Sequence, residues 1–210
     1  MEVKLSLAQA TLHGNLTIPS EAAGLVLFAH GSGSSRLSPR NQFVARYLEK
    51  KGLGTLLFDL LTAEEEAIDD QTRELRFDIP FLAKRLSAAT DWAMKKSPLP
   101  ICYFGASTGA AAALVAAAEK GKKIQAVVSR GGRPDLALEA LSKVASPTLL
   151  IVGGFDIGVI ELNESAFKKL KCLKKLEIVP GATHLFEEEG TLEIVAKLAA
   201  DWFLSHCRKK

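Results

Sequence analysis

Long apolar runs and a marked surplus of either charge are missing from this sequence and cysteines are few, and each shortage closes a class of function. The longest apolar stretch, Gly109 to Ala118, falls far short of the ~20 residues that span a bilayer. The start, Met1-Glu2-Val3-Lys4-Leu5-Ser6-Leu7, alternates apolar and polar residues, unlike a secretory leader. With 27 basic and 24 acidic residues the net charge is only +3, and no basic cluster marks a nucleic-acid or membrane partner. The only basic run at an end, Arg208-Lys209-Lys210, reads as a solvated tail. Cys102, Cys172 and Cys207 are too few for a disulfide-stapled miniature and read as reduced thiols of a cytoplasmic protein. No H-x-H, H-E-x-x-H or C-x-x-C spacing occurs, so neither a metal nor another cofactor is expected. What is present is ordinary for a globular chain: 48% hydrophobic and 24% charged residues over 210 positions. A chain of this length buries roughly 70% of its unfolded surface and needs no metal to hold its core. Residues 1–210 are therefore expected to form one domain.

The hydrophobic period changes along the chain. Val3–Leu7 and Leu12–Ile18 alternate around a turn near His13-Gly14-Asn15, as two antiparallel edge strands would. From Leu25–Ala29 onward the apolar runs are continuous and short, as in strands buried on both faces. They recur at Thr55–Phe58, Ile101–Phe104, Ile124–Val128, Thr148–Val152 and Leu176–Val179. Helical patterns separate them at Asn41–Lys51, Ile79–Lys96, Thr108–Lys120, Leu136–Lys143, Ile160–Leu170 and Leu192–Cys207. Strand alternating with helix predicts an α/β fold with a doubly wound, mostly parallel sheet. In such sheets ligands sit beyond the carboxyl ends of the strands. The polar punctuation of this sequence collects there: His30–Gly33, Asp59, Gly105–Gly109, Ser129–Arg133, Gly153–Asp156 and Gly181–His184.

Gly105-Ala106-Ser107-Thr108-Gly109 is a G-x-S-x-G motif between a buried run and an alanine-rich helix. A serine perched on a strained strand-to-helix turn needs glycine neighbours so that its oxygen stands clear of the sheet. The helix that follows turns its positive end toward developing negative charge. With 16 glycines and 14 serines in 210 residues, chance alone gives about 0.08 such motifs.

Serine is a weak nucleophile until a base takes its proton. Of the four histidines only His184 follows the last strand and precedes the last helix; His13 lies between edge strands, His206 near the chain end, and His30 closes the first buried strand. The acids Glu187-Glu188-Glu189 read as the start of the final helix. An orienting carboxylate is required at the same edge. Asp156 stands between Ser107 and His184 in sequence, with Asp135 and Glu161 as rivals. The oxyanion donors are expected to be the amide of Thr108 and that of Ser32 or Gly31 in the His30-Gly31-Ser32-Gly33 loop. His30 reads as a brace for that loop. Arg130 and Arg133 could bind a substrate carboxylate.

Taken together, these features resemble an α/β-hydrolase over the whole chain, and more narrowly the lidless, dienelactone-hydrolase-like branch. The likeness rests on His30–Ser35, Gly105–Gly109, Val152–Asp156 and Pro180–Phe186. It implies an acyl-enzyme on Ser107, proton shuttling by His184 and orientation of that histidine by Asp156. Dienelactone hydrolases proper use a cysteine nucleophile, whereas this elbow holds serine, so the implied substrate is a small soluble ester, lactone or related acyl compound. No insertion large enough for a folded lid follows the sixth strand, and Leu60–Asp78 reads as a solvated loop or frayed helix. The competing readings are a non-catalytic hydrolase-fold binding protein, an amidase or thioesterase using the same three residues, and a nucleotide-binding module. The last rests on Gly31-x-Gly33 followed by Asp59, but lacks the third glycine, since position 36 is Arg.

Overall fold

A computed structural model describes residues 1–207; the basic tail at 208–210 lies outside the described residues. Two amphipathic strands, β1 (Glu2–Ser6) and β2 (Thr11–Thr17), pair antiparallel at one edge. Six further strands are parallel to one another: β3 (Leu25–Ala29), β4 (Gly54–Phe58), β5 (Ile101–Ala106), β6 (Ile124–Arg130), β7 (Thr148–Gly153) and β8 (Lys174–Val179). The sheet order is β1-β2-β4-β3-β5-β6-β7-β8, with β4 crossing over to sit between β2 and β3. Every residue of β3, β4 and β5 is buried, which explains why their sequences run apolar instead of alternating. The edge strand β8 is half exposed and carries Lys174, Lys175 and Glu177, charges that discourage pairing with another chain.

The helices are α1 (Pro39–Lys50), α2 (Ala63–Thr72), α3 (Ile79–Lys96), α4 (Thr108–Lys120), α5 (Ile157–Lys169) and α6 (Thr191–His206). Side chains alternate across the sheet, so each strand feeds two cores. Leu25 and Leu27 face α3, α4 and α5, while Val26 and Phe28 face α1 and α6. On the second face Phe28 and Phe104 lie 4.9 Å apart between centroids, a pairing worth ~1 kcal/mol beyond burial. The alanines of α4 are almost all buried, so this helix packs directly over the sheet behind the serine turn.

Three local features differ from the sequence expectation. The segment after β4 is ordered: Thr62 and Glu65 form a reciprocal capping box that starts α2. Residues Pro134–Lys143 wind as a tight 3-10 helix, interrupted at Leu138 by a φ of 47°. Finally, Cys102 and Cys207 form a disulfide and only Cys172 is free, which corrects the reading of three reduced thiols. The pairing was hidden because 105 residues separate the two and only the packing of α6 on the β5 face brings them together. No helix among the described residues is long and apolar enough to cross a membrane.

Candidate active site

Ser107 stands between the end of β5 and the start of α4 with φ 50° and ψ −123°. This left-handed geometry costs a non-glycine residue ~1–3 kcal/mol and persists only where the surroundings impose it. Here they do. The Ser107 amide donates to Arg130 O (3.3 Å), and its carbonyl accepts from Ala110 N (3.1 Å) and Arg133 N (3.1 Å). The motif glycines admit the close packing behind the turn. A Cβ at Gly109 would lie 2.2 Å from the Ala29 carbonyl oxygen, and one at Gly105 would lie 2.5 Å from Ala110 Cα.

His184 lies in the loop between β8 and α6, and its Nδ1 is 2.6 Å from Asp156 Oδ2. A carboxylate only accepts, so Nδ1 carries the proton and Nε2 is left as the basic nitrogen. Asp156 follows β7 and directly precedes α5, yet makes no cap bond to that helix; its side chain serves His184 instead. The rival Asp135 is taken up by Arg133, which donates to both of its oxygens at 2.9 and 2.8 Å. Glu187–Glu189 precede α6 instead of opening it, and two of them hold the histidine loop. Glu188 accepts from Thr183 N and Oγ1 (3.0 and 2.6 Å), and Glu187 accepts from Arg40 at 2.8 Å.

Ser107 and His184 line one cavity of about 200 Å³ together with Gly31, Ser32, Ser34, Ser38, Arg40 and Arg130. The His30–Ser34 loop forms its wall and comes so near that a Cβ on Gly31 would lie 2.9 Å from Ser107 Cβ. Among the described residues the backbone amides of Ser32 and Thr108 have no hydrogen-bond partner, and both flank this loop. His30 is a brace. Its Nε2 accepts the Leu60 amide at 3.0 Å, so the proton sits on Nδ1, which faces Gly31 O at 3.0 Å. Burial, partly offset by the Gly31 hydrogen bond, holds His30 below its ordinary value of 6.5, so it stays neutral.

Across the same loop lies a second cavity of about 290 Å³, shared at Gly31, Ser32 and Ser34 and lined beyond them by Leu60, Glu66, Asp69, Asp70 and Arg76. Arg76 and the two aspartates are paired with one another. Arg76 donates to Asp69 through Nε and its own amide, and to Asp70 at 2.9 Å. Burial raises Asp69, but the Arg76 hydrogen bonds outweigh it and keep the carboxyl below its usual range.

Of the two arginines noted in the sequence, Arg133 is engaged by Asp135, whereas Arg130 lines the serine cavity. Arg40 was missed. It lies in the first turn of α1, and no sequence motif ties that turn to Ser107; the sheet order does.

The family model described as "Alpha/beta hydrolase domain" matches residues 22–197. The chain therefore belongs to the α/β hydrolase family. Within that family it is dienelactone-hydrolase-like: a crystal structure named as the dienelactone hydrolase of Anabaena variabilis is 58% identical, with a TM-score of 0.96 over 99% of this chain and 98% of that one. The protein Est1E of Butyrivibrio proteoclasticus shares the fold at 19% identity and a TM-score of 0.80, over 97% of this chain and 98% of that one. Curated proteins of two Mycobacterium tuberculosis strains, named as phosphoribosyl transferases, are 55% identical over 208 residues. That match takes in 98% of this chain but 46% of theirs, so the chain spans about half the length of these relatives.

Proposed function

We propose that this chain is a serine hydrolase cleaving a small ester, lactone or related acyl substrate through an acyl-enzyme on Ser107. The observation that carries the reading is Ser107 held at positive φ in a cavity shared with His184, whose Nδ1 is fixed by Asp156. In the first half-reaction Ser107 Oγ attacks the carbonyl and its proton passes to His184 Nε2. The carbonyl oxygen takes the negative charge, facing the free amides of Ser32 and Thr108. Collapse breaks the bond to the leaving group, which takes the proton from His184. Water then attacks the acyl-enzyme, with His184 again moving the proton, and the acid leaves. Asp156 holds the tautomer in which Nε2 is free and stabilises the imidazolium that forms in each half.

A fluorescent fluorophosphonate probe tests this directly. Mass spectrometry should locate the adduct on Ser107; labelling should vanish in Ser107→Ala and fall in His184→Ala. A folded protein that takes no label would overturn the reading in favour of a non-catalytic binding protein. Parallel assays with an ester, an amide and a thioester of the same acyl group would sort esterase from amidase and thioesterase.

A further inference from the structure

Arg130 ends β6, in register with Ala106, the residue before Ser107. Alternation along the strand puts it in the row of Ala126 and Val128, on the face covered by α1 and α6. It is only 7% exposed, and its Nε and Nη1 are buried without a partner. No hydrogen bond or ion pair from this guanidinium exists among the described residues. A buried charge left unpaired is among the most costly arrangements in a protein interior, and none of the residues lining its cavity is acidic.

A second cation makes matters worse. Arg40, in the first turn of α1, lines the same cavity with its Nε buried and unpartnered, although Glu187 accepts from its Nη1 at 2.8 Å. Burial and the Arg40 charge push Arg130 down to about 10, which still leaves it charged at neutral pH. Two guanidiniums on separate elements thus face one cavity, with Ser34, Ser38 and the positive end of α1 completing the wall.

We propose that this cavity takes a phosphate monoester carried by the substrate, its oxygens held by Arg130 and Arg40 while the scissile carbonyl lies at Ser107. The inference rests on the hydrolase reading for the reacting bond; the phosphate is the handle and is not itself cleaved. A carboxylate has two coplanar oxygens and one charge, which a single guanidinium fork satisfies. A phosphate presents three oxygens in a tetrahedral array and about −1.5 to −2 charge at neutral pH. That matches donors arriving from β6 and from α1 together with two hydroxyls.

Titration calorimetry with inorganic phosphate, then with acetate, tests the handle on the whole chain. Phosphate should bind at one site and slow fluorophosphonate labelling of Ser107, and acetate should bind at least tenfold more weakly. Arg130→Gln should weaken phosphate at least tenfold and Arg40→Gln severalfold, while Arg46→Gln, on an exposed position of α1, should change nothing. If Arg130→Gln fails to fold by near-ultraviolet circular dichroism, Arg40→Gln carries the test. Absence of phosphate binding, equal binding of acetate, or binding indifferent to both substitutions would overturn the proposal. Labelling of Ser107 without phosphate binding would do so while sparing the hydrolase reading. Phosphate binding without labelling would overturn the hydrolase reading and leave the anion site standing.

Discussion

Two cavities share the His30–Ser34 loop, and they treat charge in opposite ways. In the larger one Arg76 spends its donors on Asp69 and Asp70. In the smaller one Arg130 has no partner and Arg40 keeps an unpaired Nε. A cluster that closes on itself holds a segment of chain in place; here it ties the end of α2 to the turn at Leu75–Phe77. A buried charge left open holds nothing together and makes physical sense only with a ligand. The same contrast separates Arg133, closed by Asp135, from Arg130 three residues earlier.

The largest effect that would sharpen this comparison concerns two aspartates, the half-buried Asp156 and the buried Asp69. Asp156→Asn should lower kcat on the order of 10³–10⁴-fold, since the wrong histidine tautomer is then favoured. Asp69→Asn should leave kcat per folded molecule within a few fold. Steady-state rates on a common activated ester check both, and comparable losses from the two would erase the distinction. Next in size, Arg76→Met should destabilise by about 2 kcal/mol, because it strands the little-exposed Asp69 without its cation. Arg130→Met should do the reverse and raise stability by about 1 kcal/mol in phosphate-free buffer. Urea unfolding midpoints measure the pair, and loss of stability in Arg130→Met would mean the guanidinium has a structural partner after all.

The loop between the cavities offers a smaller effect. His30 is held below 6.5 in the folded state, so on acidification the unfolded chain takes up its proton first. Stability should therefore be unaffected by this group above about pH 6.5 and should fall as the pH drops below it. Comparing urea midpoints at neutral and mildly acidic pH should show a shallower acid slope in His30→Gln than in the parent. The smallest change is expected at Arg133→Gln. Its pair with Asp135 is partly solvated, so the cost should stay under about 1 kcal/mol.

Much of this molecule was legible before folding. Continuous apolar runs marked the parallel strands because a strand buried on both faces has no polar side to alternate with. The helical patterns at Ile79–Lys96 and Thr108–Lys120 coincide with α3 and α4 to the residue. Ser107, Asp156 and His184 were legible as candidates because each follows a parallel strand, and the ends of parallel strands share one edge of a sheet. Other features left no trace in local pattern. A charged, apolar-poor stretch reads as loop even where a capping box and the Asp69–Arg76 pair order it, because those contacts link positions whose periodicity is weak.

Local sequence by itself determined the class of fold, the turn that exposes Ser107 and the order of the candidate residues, because these depend on hydrophobic period and on glycine at fixed offsets. Tertiary structure alone decided which carboxylate meets His184, which arginine stays unpaired and which two cysteines meet. Those are matters of distance between elements far apart in the chain, and no short window of sequence contains them.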